Sequence, residues 1–204
     1  MKHLFLITSF WIAIIVSASA ASHTLYVGSC YEYTSIFGYM PHTFSLVYND
    51  KTKFIELQTS GNIKTTYVDL QWYDIKQINK ILEKYFEWEK LALEKEVELD
   101  KELPGSPIKT KVKWEELDSY YSSSNFIIHF SFFSLDKENH CFAVGTEKVS
   151  GPYNVSTCSF YFLFGKNQAE DFYSGINEEN LRKQVLEIEK TNERNKEIED
   201  SLFN

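Results

Sequence analysis

The short patterns that mark catalytic or metal chemistry are missing from this chain. It has no HxH, HExxH or CxxC spacing, so the common zinc frameworks are excluded. It has no GxSxG elbow, phosphate-binding loop or dinucleotide fingerprint, and its eight glycines are scattered as turns require. No cofactor and no metal is expected, and no catalytic residue is assigned. Basic charge is also in deficit: 21 Lys and Arg against 29 Asp and Glu leave a net charge of -8. A nucleic-acid partner would need a basic stripe, and an anionic membrane surface would repel such a chain. Beyond the N-terminus no apolar run is long enough to span a bilayer.

What is present begins with an address. Met1-Lys2-His3 precedes an apolar run from Leu4 to Val16 and the small residues Ser17 to Ala21. A basic start, a short apolar core and alanines at 18 and 20 make a secretory signal peptide over residues 1–20, cleaved after Ala20. An uncleaved anchor is the alternative. The expected product is exported, secreted or periplasmic, with no membrane span after cleavage. Residues 21–175 read as a single α+β domain and 176–204 as a charged C-terminal helix.

Export makes disulfides permissible, and the three cysteines are Cys30, Cys141 and Cys158. Three pairings exist, each leaving one thiol over. Cys141–Cys158 is favoured, because a turn centred between Val149 and Ser150 would place the two opposite each other on antiparallel strands. Cys30 then reads as a small buried apolar residue. Asn154-Val155-Ser156 forms a glycosylation sequon that matters only in a eukaryotic secretory pathway.

The longest segment of one local preference is Asp74–Pro104. Asp74 and Gln77 have the spacing of a capping box, no Gly or Pro follows until Pro104, and Leu, Ala, Glu and Lys dominate. Ile75, Ile78, Ile81, Leu82, Tyr85, Phe86 and Trp88 form a broad stripe in its first half. Its second half carries Glu87, Glu89, Glu94, Glu96, Glu98, Asp100 and Glu102. The first half is expected to cover the mixed, odd-numbered face of the Phe126–Gly165 meander and the second to project as an acidic arm or a solvated face.

Strand patterns flank this helix. Thr24–Cys30 and Ile63–Leu70 read as strands, and Thr43–Tyr48 with Lys53–Gln58 reads as a hairpin. Tyr31–His42 and Asp118–Asn125 read as loops. Ile108, Val112 and Trp114 alternate with Lys109, Lys111 and Lys113, a charged strand suited to a sheet edge. Phe126 to Gly165 is a three-stranded meander in which His129 pairs near Gly145. Lys166–Gly175 reads as a loop or single turn, and Glu178–Leu202 as a helix capped by Asn177. The expected fold is α+β: an antiparallel sheet of about five to seven strands, covered on one face by the long central helix, plus a C-terminal helix.

These features favour a soluble, non-catalytic binding protein whose partner is another protein or an envelope component. Its candidate surface is Glu94, Glu96, Glu98, Asp100 and Glu102 with Lys109, Lys111 and Lys113. An inhibitor or immunity-type protein blocking an exported basic enzyme is one alternative. A small exported hydrolase is another; it would join Cys30 or His129 to carboxylates, with Asp69 and Asp74 as acid–base candidates.

Overall fold

A computed structural model describes residues 22–34, 36–60, 64–116, 119–149 and 160–203. The chain order is β1 (Ser22–Thr34), β2 (Gly38–Asn49), β3 (Ile55–Ser60), β4 (Lys64–Leu70), α1 (Trp72–Lys95), β5 (Asp100–Glu102), β6 (Ile108–Glu116), β7 (Ser119–Ser134), β8 (His140–Thr146), β9 (Tyr161–Phe164), α2 (Lys166–Gly175) and α3 (Glu178–Phe203). The signal-peptide segment and the 154–156 sequon lie outside the described residues.

The expected open sheet is corrected: the strands close. Neighbours run β6-β4-β3-β2-β1-β9-β8, and β7 joins both ends by pairing with β6 along one edge and β8 along the other. The result is an eight-stranded antiparallel barrel, with the short β5 added beside β6 on the same edge of β7. Closure leaves no free edge for the lysine strand to guard. Indeed β6 is an interior strand between β4 and β7.

Period-two alternation determines which side chains fill the barrel. Phe44, Leu46 and Tyr48 of β2 point in, opposite Thr59, Leu57 and Ile55 of β3. Val68, Val112 and Trp114 continue the inner layer, followed by Phe126, Ile128, Phe130 and Phe132 of β7. Phe142 and Val144 of β8 face Phe164 and Phe162 of β9. Eight strands enclose a space that side chains can fill. A void among Phe44, Leu57, Ile128, Phe130 and Phe162 measures about 20 Å³, hardly more than one water. Packing is tight at Gly28 too, where a Cβ would run into the Phe44 ring.

The β2–β3 turn, the β7–β8 turn and both strand-to-helix junctions lie at one end of the barrel. The helices close that end. Ile75, Ile78, Ile81, Leu82 and Tyr85 of α1 are buried in the same core as the strands. Tyr85 packs on Phe132 and Phe142 with ring centroids 5.7 and 5.6 Å away, and its hydroxyl donates to the His140 carbonyl at 3.1 Å. The helix was expected to cover the mixed, odd-numbered face of the meander. It packs on the all-apolar even face, because that face is the one without polar groups to solvate. From α2, Phe172 stacks on Phe164 at 5.1 Å. From α3, Leu181 and Val185 complete the core, and Asn177 caps the helix through the Asn180 N–H.

Other expectations need correction. The central helix does not reach Leu103. Glu96 adopts a left-handed conformation at φ 52°, its N–H returns to Ala92 and Leu93, and the Val97 N–H bonds the Ala92 carbonyl. This is the usual αL helix stop, made here without glycine. Beyond it the chain is captured by β7: Leu99 N–H donates to Ser134 Oγ and Leu103 N–H to the Phe130 carbonyl. Backbone pairing to a buried sheet outweighs local helix propensity. The helix also starts earlier, with Gln71 at the cap and the Asp74 carboxylate accepting the Gln71 N–H at 2.9 Å. Tyr31–His42 and most of 118–125 are strand rather than loop. The first extends the β1–β2 hairpin to Thr34 and Gly38, and the second is held by pairs such as Trp114 with Tyr121. Lys166–Gly175 is a full helix. Among the described residues no helix is long and apolar enough to cross a membrane.

Candidate functional site

Outside the filled barrel, a polar groove of about 580 Å³ runs between residues 22–25 and α3, and a second concavity has a mainly apolar wall. It is a cleft of about 480 Å³ where α1, the β7–β8 turn and the start of α2 meet the outer faces of β1, β2, β8 and β9. Its apolar wall is Leu93, Leu135, Leu163 and Cys141, with Tyr31 and Tyr39 at one side. Cys141, Ala143 and Leu163 form a small second cluster with Phe133 and Tyr161, facing away from the main core.

Four groups bring chemistry to this cleft. Glu89 projects from α1 and is only 7% exposed. It occupies a position of the buried stripe, four residues after Tyr85 and three before Ala92, both of which are buried. That spacing is legible in the sequence, where the residue was grouped with the solvated glutamates. Lys166, the first residue of α2, places its Nζ 3.4 Å from a Glu89 carboxylate oxygen. Nothing in the sequence marked it.

His140 and Cys141 open β8. The ring of His140 packs on Phe132 at 5.1 Å, and its Nδ1 lies 2.9 Å from Ser134 Oγ. That hydroxyl also contacts the Leu99 carbonyl at 3.0 Å and accepts the Leu99 N–H. The Leu99 carbonyl also accepts the Ser134 N–H at 3.0 Å, so the single Ser134 hydroxyl proton can go to that carbonyl or to His140 Nδ1. His140 Nε2 is buried with no hydrogen-bond partner among the described residues.

The Cys141 thiol is pushed up to about 11 by burial, and Cys30 up to about 12 by burial with a further contribution from Glu32. Burial thus holds both as thiols, the less nucleophilic form, at neutral pH. Native protein treated with iodoacetamide at pH 7.5 should keep both unmodified, and both should react after denaturation, read as peptide masses. Rapid native labelling of Cys141 would contradict its burial.

The Cys141–Cys158 cross-link rested on a turn centred near residues 149–150. The register formed instead pairs Phe142 with Phe164 and Gly145 with Tyr161, which runs Cys141 past the end of β9. Cys141 holds a free thiol. Cys158 lies outside the described residues.

The remaining sequence candidates are dispersed. Glu94 lies in the last turn of α1, Glu96 caps it, Glu98 lies in the link, and Asp100 and Glu102 flank Lys101 in the exposed β5. Lys109, Lys111 and Lys113 share the outer face of β6. Lys113 does not reach the acidic arm. It bridges Glu56 and Asp69, with its Nζ 2.5 and 3.0 Å from their carboxylates. Asp69 is thus a structural partner, and Asp74 serves the α1 start. His129 lies on the outer surface, between Glu102 at 3.0 Å and Glu147 at 3.6 Å. Its Cα partner is Gly145, as the spacing predicts. The cleft contains neither Cys30 nor His129, the two residues on which a hydrolase reading was built.

A second exposed apolar feature is the tip of the β1–β2 hairpin, where Ile36 is 81% and Phe37 73% exposed. Tyr33 and Tyr39 pack together just below it at 5.2 Å. Comparison with known proteins finds no match to a protein family, a curated protein or a solved structure.

Proposed function

We propose that this is an exported, non-catalytic binding protein, and that it holds a small, mainly apolar molecule in the outer cleft. The observation that carries the reading is the cleft itself. At about 480 Å³ it falls in the size range of small-molecule sites, and its wall is apolar with a few polar groups at one end. The filled barrel supports the same reading, since the void among its inward side chains measures only about 20 Å³. The protonated thiol at the wall favours binding over chemistry.

N-phenyl-1-naphthylamine, uncharged at neutral pH and fluorescent in apolar sites, is a suitable probe. It should bind the protein saturably. Leu93 is 39% exposed at the cleft wall, so Leu93→Trp fills space without disturbing the core. This change should weaken the probe by about tenfold, the effect of losing roughly 1.4 kcal/mol of contact. Excitation at wavelengths that indole does not absorb keeps the readout clean. Unchanged binding in Leu93→Trp would place the site elsewhere.

The exposed hairpin tip favours a second reading, docking of a protein partner through Ile36 and Phe37. Serine at both positions should leave probe binding intact, which separates the two surfaces.

A further inference from the structure

We infer that the cleft is selective for an amphipathic cation: an apolar chain ending in a protonated amine, whose ammonium takes the place of Lys166 at Glu89. This rests on the cleft being the binding site and adds the charge of its occupant.

Glu89, a carboxylate with a side chain only 9% exposed, needs a counter-charge. Its ionic partner, Lys166, has a side chain 54% exposed. A lysine is a flexible four-carbon stem with a strongly hydrated head, and this one can swing into solvent at little cost. A ligand ammonium can therefore replace it without leaving an unpaired charge in the wall. A ligand carboxylate cannot, because it would meet Glu89.

A further feature agrees. The other charged group lining the cleft is Glu138, which makes the local balance one lysine against two glutamates. The positive end of α2 does lie at this wall, at Gly165 and Lys166. Glu89 already complements it.

The apolar part follows from the wall. Leu93, Leu135 and Leu163 offer contact to an alkyl chain, and burying methylenes there supplies affinity without regard to the head group. Charge selectivity and tail affinity are therefore separable.

The test is isothermal titration of the full chain at pH 7 with octylammonium, 1-octanol and octanoate, each below its aggregation concentration. Octylammonium should bind at least about tenfold tighter than octanol, as a charge-assisted hydrogen bond warrants, and octanoate should be weakest. Glu89→Gln should abolish that preference while octanol affinity stays the same. Lys166→Ala, which removes the competing cation from an exposed position, should strengthen octylammonium. If the three probes bind alike, or the preference survives Glu89→Gln, the cation inference is overturned and the cleft reading stands. If none binds, both are overturned.

Discussion

Lys113→Met should destabilise the protein by about 3 kcal/mol, read as a drop in the denaturant midpoint at pH 7. Glu56 and Asp69 are Cα partners on β3 and β4, 3% and 8% exposed, and their carboxylates share the Lys113 ammonium. Removing it leaves two like charges face to face with little water. The value is set at the lower end for a broken buried pair, because the lysine side chain is 33% exposed and solvent screens part of the interaction. Burial alone would lower the Lys113 pKa, but the hydrogen bonds to Glu56 and Asp69 outweigh it and raise it. At Asp69 burial dominates and lifts the carboxyl above the usual range, against the pull of Lys113. A carboxyl raised on folding contributes stability below its unfolded value, and this is lost as pH rises through the folded one. The deficit of Lys113→Met should therefore shrink as pH falls from 7 towards 4. Adding Glu56→Gln and Asp69→Asn should recover most of the loss. A triple variant as unstable as the single one would place the cost in lost packing.

Tyr85→Ala should be comparably damaging, at about 3–5 kcal/mol for a large aromatic removed from a closed core. Tyr85 is fully buried and touches Phe86, Phe132 and Phe142. It fastens α1 to the meander strands at the end of the barrel. Its hydroxyl also satisfies the His140 carbonyl. Tyr85→Phe keeps the ring and should cost only about 1 kcal/mol. Similar losses in the two variants would mean that the ring is not the fastening. Urea melts followed by near-ultraviolet dichroism report both.

Local pattern revealed much of this fold because alternation is a local property. Ile108, Val112 and Trp114 face inward as their spacing requires, and Phe126 to Phe132 line the barrel. The β7–β8 register followed from one turn, so His129 meets Gly145. Closure had no such signal. It depends on β1 meeting β9, as in Tyr31 with Leu163, and on β4 meeting β6 across an intervening helix. Pairing over such separations leaves no periodicity for a reader to follow. The segment after Lys95 misled for the opposite reason. Its residues favour helix, yet β7 offers backbone partners that an isolated helix end lacks. The site was partly readable. Glu89 stands out once its place on the buried stripe is counted from Tyr85. Lys166 and the wall from Leu163 to Tyr31 come together only through the barrel.

The most direct test of a filled barrel with its binding site outside is amide chemical-shift mapping during titration with octylammonium. Perturbations are expected at Glu89, Leu93, Cys141, Leu163 and Lys166, with Leu46, Val68 and Phe130 unmoved. Shifts centred on Leu46, Val68 and Phe130, with the cleft residues silent, would contradict an external site.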